Sequence, residues 1–128
     1  MADSLQIAQN MIDAWLKLDW DTVTSLFTDQ GSLVIVPARQ TYTGAEAIRG
    51  HLDEVAGGIE TLSFDIKTLE ASGNTVVFER DDVFVYRTKE GPRESRVPCV
   101  GVMDMQDGRV ESWREYFDGY TMLKAIKG

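Results

Sequence analysis

A chain of 128 residues that is 43% hydrophobic and 27% charged, with three prolines, has the size and composition of one folded domain, here spanning residues 1–128. Its net charge of −8 opposes a phosphate backbone, so nucleic acid is not an expected partner. No basic region followed by an apolar run opens the chain and no apolar stretch reaches about 18 residues, so a soluble, cytoplasmic protein without membrane contact is expected.

From a cap at Asp3 or Ser4, Leu5, Ala8, Ile12, Trp15 and Leu16 recur at helical spacing, which predicts an amphipathic helix to about Leu18. Asp19 caps a shorter helix with Val23, Leu26 and Phe27 on its apolar side. Gly31 breaks that pattern, and the run Ser32 to Val36 predicts a strand stopped by Pro37. Thr43-Gly44-Ala45-Glu46 has the form of a capping box with Thr43 as N-cap, opening a helix along Ile48, Leu52 and Val55 that ends at Gly57-Gly58. From Ile59 onward four stretches read as strands: 60–71, 75–87, 93–106 and 109–120. Their turns are Ser72-Gly73-Asn74, Lys89-Glu90-Gly91-Pro92 and Asp107-Gly108. Thr121 to Lys127 predicts a short terminal helix. Helices followed by an antiparallel meander imply an α+β fold, with helices on one face of a curved sheet and a pocket at its open end.

Alternation in the second long strand puts Phe78, Arg80, Asp82, Phe84 and Tyr86 on one face, and in the last strand Trp113, Glu115 and Phe117. If these faces are solvated, the charges are ordinary surface pairs. If they are internal, Arg80, Asp82 and Glu115 must satisfy one another, because each buried ion costs several kcal/mol unless it is paired. Alternation alone leaves both readings open.

Glu79-Arg80-Asp81-Asp82-Val83, Gly101-Val102, Gly108-Arg109-Val110 and Trp113-Arg114-Glu115-Tyr116-Phe117-Asp118 together resemble the limonene-1,2-epoxide hydrolase family of the nuclear transport factor 2-like (NTF2-like, SnoaL-like) superfamily. The resemblance implies a cone-shaped fold: N-terminal helices on a strongly curved, mainly antiparallel sheet enclosing one pocket. It also implies hydrolysis of a small apolar epoxide without a cofactor, with Asp82 as general acid, Glu115 as general base and Arg80 bridging them. Trp15, Leu33, Ile35, Phe78, Phe84, Trp113 and Phe117 are expected to line the pocket. One Arg, one carboxylate and one carboxylic acid sum to zero charge, which suits burial, and two such acids share one proton as a coupled pair.

Three positions, making two departures, differ from that family's pattern. Its base is an Asp where this chain has Glu115, and its water-holding Tyr and Asn, counted back from Pro37, fall on Leu33 and Ile35. Tyr42 or His51 could supply the missing hydrogen bond. The base of ketosteroid isomerases would fall on Val36, which speaks against that reaction. A polyketide cyclase-like, isomerase or lyase activity and a purely ligand-binding domain are the alternatives.

His51, the only histidine, reads as a helix-surface or pocket-rim residue. Cys99, the only cysteine, excludes an internal disulfide and reads as a buried, inert thiol lacking a basic neighbour. With so few soft ligands no zinc or iron site is expected, whereas composition leaves an all-carboxylate Mg²⁺ site open. Met103 and Met105 share a strand face, either as core or as part of a homodimer interface.

Overall fold

The computed structural model describes residues 3–121 and Lys124. The terminal helix expected at Thr121 to Lys127 falls, apart from Thr121 and Lys124, outside them. Helix α1 (Ser4–Leu16) starts where Asp3 takes an extended conformation and its carboxylate accepts the Gln6 N–H. It buries Ile7, Ala8, Met11, Ile12 and Ala14 and stops before Leu18, whose φ of 56° is incompatible with continuing the helix. Asp19 accepts from both the N–H and the hydroxyl of Thr22 to start α2 (Trp20–Ser25).

Strand β1 (Phe27–Ile35) begins well before the expected Ser32. Phe27 pairs with Val110 and Ser32 with Ser112, so β1 bulges between them. Gly31 lies within this irregularity, where a Cβ would come 2.9 Å from the Val110 carbonyl oxygen. The glycine that reads as a break in a helical pattern is therefore part of a bulged strand. Strand β2 (Gln40–Thr43) was not expected; four mostly exposed residues carry no alternation. It pairs antiparallel with β1, setting Thr43 against Ser32. Thr43 thus ends a strand and does not cap a helix. The N-cap of α3 (Ala45–Ala56) is Gly44, at φ 86° and with no side-chain cap, and α3 ends at Gly57 as expected.

Four long strands complete the chain: β3 (Ile59–Ser72), β4 (Thr75–Thr88), β5 (Gly91–Gln106) and β6 (Arg109–Phe117). The last ends three residues short of the expected Tyr120. The sheet runs β2-β1-β6-β5-β4-β3, and every neighbouring pair is antiparallel except β1 with β6. Helix α1 packs against the inner face of β3 to β6, and α3 against β1 to β3. The main core, including Met11, Ile12, Leu33, Phe78, Met103 and Trp113, fills the space between. Met103 and Met105 are both buried in it. A smaller cluster of Phe84, Val97 and Cys99 sits further along the sheet, joined by half-buried Leu62, Tyr86 and Phe117. No described helix is long and apolar enough to cross a membrane.

Two glycines separate packing from backbone freedom. A Cβ on Gly101 in β5 would lie 2.4 Å from a Phe78 ring carbon and 3.0 Å from Arg80 Nη1. Gly101→Ala is therefore expected to lower stability by about 1–3 kcal/mol through overpacking. Gly50, exposed in the middle of α3, has nothing within 4 Å of its Cβ position, so Gly50→Ala is expected to raise stability by up to ~1 kcal/mol. Urea midpoints of the two variants read both changes.

Candidate active site

Strand pairing brings the charged residues together. Phe78 lies opposite Gly101, which lies opposite Glu115; Arg80 lies opposite Cys99, which lies opposite Phe117. Arg80 and Glu115 are thus separated by one intervening strand, a span of about 10 Å at ordinary strand spacing. The guanidinium crosses that gap over Gly101, where the absent side chain leaves room.

Arg80 donates through Nη1 to Glu115 Oε2 at 3.0 Å and through Nη2 to Glu115 Oε1. It also donates through Nε to Asp82 Oδ1 at 2.7 Å and through Nη2 to Asp82 Oδ2 at 3.3 Å. One guanidinium therefore grips two carboxyl groups, each at both oxygens. The Phe64 and Phe78 rings lie against it, with Cζ 4.4 and 4.6 Å from their centroids, adding cation–π attraction in a dry setting. Cys99 donates to Asp82 Oδ2 at 3.4 Å. Arg80 is 2% exposed and Glu115 5%, so of the two readings that alternation left open, the internal one describes the protein.

Beside this trio lies a cavity of about 220 Å³. Asp82 and Glu115 form part of its wall, and the rest is mostly apolar, with Trp15, Ile35, Phe84 and Phe117 among the lining residues. Leu33, Phe78 and Trp113, expected on the wall, are instead fully buried core. Inward alternation gives the face of the sheet correctly but not where a helix covers it: Trp15 of α1 packs on Trp113 at 4.6 Å and closes it off from the hollow. Other wall residues were missed, including Val55, Ile59, Leu62 and Tyr86. Tyr86 shares the inner face of β4 with Asp82, which was the available signal. The β3 and α3 contributors depend on packing that no periodicity records.

Burial is the main influence on both acids and raises the proton affinity of each. Arg80 opposes that rise, while the charge of Asp82 adds to it at Glu115. The Trp113 indole N–H lies near enough to Glu115 to favour its ionised form, yet it makes no hydrogen bond to any described residue. Burial works against the charge on Arg80 too, but Glu115 and Asp82 more than offset it and keep the guanidinium charged. Burial, then Asp82, also pushes the Cys99 thiol up. Cys99 does have a basic neighbour, its strand partner Arg80; it stays an inert thiol because desolvation outweighs that attraction. His51 is half-buried on the cavity wall, stacked on Tyr42 with centroids 4.3 Å apart, and burial lowers its pKa, keeping it neutral.

This architecture, helices on a curved mixed sheet with a charged trio at the wall of one apolar hollow, defines an NTF2-like domain. The SnoaL-like domain family matches residues 8–113, and the chain belongs to that family. The epoxide hydrolase EphG of Mycobacterium tuberculosis is 28% identical over 123 residues, covering 90% of this chain and 73% of that protein. The structure of an M. tuberculosis LEH-like epoxide hydrolase matches with a TM-score of 0.79 at 26% identity, over 98% of this chain and 90% of that one. A candidate SnoaL-like polyketide cyclase from Shewanella putrefaciens CN-32 matches with a TM-score of 0.87 at 20% identity, over 99% and 98% of the two chains. At that identity the likeness shows the fold.

Because burial holds the Asp82 carboxyl above 3.8, the folded state binds its proton more tightly than the unfolded chain does. That contribution favours folding at low pH and is lost as pH rises through the folded value. Asp82→Asn removes it, so the variant is expected to gain stability relative to the parent as pH rises above about 4. Denaturant midpoints across that range measure the difference. A variant that instead falls further behind the parent as pH rises would mean that Arg80 outweighs burial.

Proposed function

We propose that this protein is an epoxide hydrolase that adds water to a small apolar epoxide in one step, using its own side chains alone. The observation that carries this reading is the buried Asp82–Arg80–Glu115 bridge at the wall of an apolar cavity. The likeness to EphG and to the LEH-like enzyme supports it.

Glu115 receives both terminal nitrogens of Arg80 and is 5% exposed, so it is the better compensated anion and serves as base. Asp82, with a side chain 14% exposed and a weak thiol donor on Oδ2, carries the shared proton and serves as acid. As water attacks a ring carbon, the C–O bond breaks and the epoxide oxygen takes the Asp82 proton. Glu115 accepts a proton from the attacking water. The site finishes with Asp82 ionised and Glu115 protonated, and one proton passing between the coupled pair resets it.

A second reading has its own support. Ile35, the strand partner of Glu115, presents no hydrogen-bonding group to the cavity, and Leu33 lies in the core. A site with few groups to hold water suits proton transfer within a bound ligand, as an isomerase, lyase or cyclase would perform it.

Incubation with a panel of cyclic epoxides in ¹⁸O-labelled water is expected to give singly labelled diol. Asp82→Asn is expected to lower its rate by about 10²- to 10⁴-fold. Unlabelled rearranged product would favour the second reading, and retention of apolar ligands without any conversion would mean a binding protein. Glu115→Asp, which retracts the carboxylate by one methylene, is expected to leave measurable turnover, reduced by about 100-fold or less.

A further inference from the structure

Besides Trp15, whose ring packs on Trp20 and Trp113, the cavity wall holds two hydrogen-bonding side chains that the acid–base trio does not use. His51 comes from α3 and Tyr86 from β4, and both line the hollow that Asp82 and Glu115 line. Neither the imidazole nor the Tyr86 hydroxyl hydrogen-bonds to any described residue, whereas every polar atom of the Arg80 guanidinium has a carboxylate partner.

Both groups are held in place by contacts that leave their polar atoms free. The Tyr42 ring stacks on His51 with planes 19° apart, and Phe84 meets the Tyr86 ring edge-on at 4.7 Å between centroids. Gly58 passes close on another side, its Cβ position 3.4 Å from a Tyr86 ring carbon. Tyr86 lies four residues beyond Asp82 on the same strand face, roughly 13 Å along the backbone. The wall between is largely aliphatic and aromatic. Such pre-oriented polar groups on a greasy wall commonly fix a ligand's orientation.

We propose that the ligand of this cavity is an uncharged amphipathic molecule, with its reacting end at Asp82 and Glu115 and a second hydrogen-bonding group, a hydroxyl or carbonyl, engaged by His51 and Tyr86. The identity of the reacting end rests on the epoxide reading above; the second handle does not. A neutral imidazole offers one donor and one acceptor, and a protonated phenol offers the same. Burial lowers the His51 pKa and burial, then Asp82, raises that of Tyr86, so both remain neutral in the middle of the pH range. No described residue lining the cavity is a cation, and Arg93, the strand partner of Tyr86, is exposed and outside that lining; a carboxylate there would also add to a chain already at −8.

Calorimetric binding to the Asp82→Asn protein, in which turnover is suppressed, tests this independently of catalysis. The probes are limonene-1,2-epoxide and the same molecule hydroxylated on its isopropenyl end. The hydroxylated probe is expected to bind roughly 3- to 10-fold more tightly, the worth of one or two net hydrogen bonds. Adding Tyr86→Phe and His51→Phe, which keep the ring contacts, is expected to bring that ratio to about one. Equal affinities before the substitutions, or a ratio unchanged after them, would overturn the proposal. A preference that depends on His51 and Tyr86 in a protein that converts no epoxide would uphold the second handle and reject only the reacting chemistry.

Discussion

A guanidinium that is almost entirely withdrawn from water sets the terms for the inner face of this protein. Removing such a charge from solvent costs several kcal/mol, recovered only when its donors meet acceptors of opposite charge. Asp82 and Glu115 meet that demand from different strands, so the register of β4, β5 and β6 is constrained at one point. A slip of one residue on β6 would turn Glu115 outward and leave Arg80 half-paired. The bridge is thus a register lock for the sheet as well as the proposed chemical site, and Gly101 is the spacer that allows it.

The rest of the fold is arranged around that lock. Trp113 and Phe78 sit on the core side, and Trp15 seals them beneath α1. On the other side the same strand faces continue into Phe84 and Phe117, where the covering helices leave a hollow. The boundary between filled core and empty cavity therefore falls at the charged trio. Two acids at such a boundary keep the low dielectric that raises their proton affinity while both still line the cavity.

Much of this was legible from sequence, and what was missed has a common cause. Alternating aromatics around Arg80, Asp82 and Glu115 placed the three charges on particular strand faces. The caps at Asp3 and Asp19 and the stops at Pro37 and Gly57 followed from local chemistry. Local pattern misled where pairing decided the outcome. Thr43 has the residues of a capping box, but it lies opposite Ser32 of β1, and the next amide, Gly44 N–H, donates to the Gly31 carbonyl. Gly31 looks like a terminator and lies in a bulge. Phe64, which covers Arg80, is strand partner to Asp82, a relation that only the folded sheet creates. Leu33 and Phe84 both face inward, yet one is core and the other cavity wall, because helices α1 and α3 shield one end of the sheet and not the other.

The irregularity in β3 has a bearing on colloidal behaviour. This strand is fourteen residues long and forms one margin of a sheet that does not close on itself, leaving a row of unsatisfied amides and carbonyls as a template for another chain. Ile66 pairs with Arg80 and Thr68 with Glu79, so Lys67 is an extra residue there. The inward set shifts phase across it, from Leu62 and Phe64 before to Leu69 after. A kinked border with a lysine at the kink, beside exposed Ile66, is a poorer template for edge pairing than a flat strand would be. The bulge thereby works against fibril-like stacking along a long sheet margin.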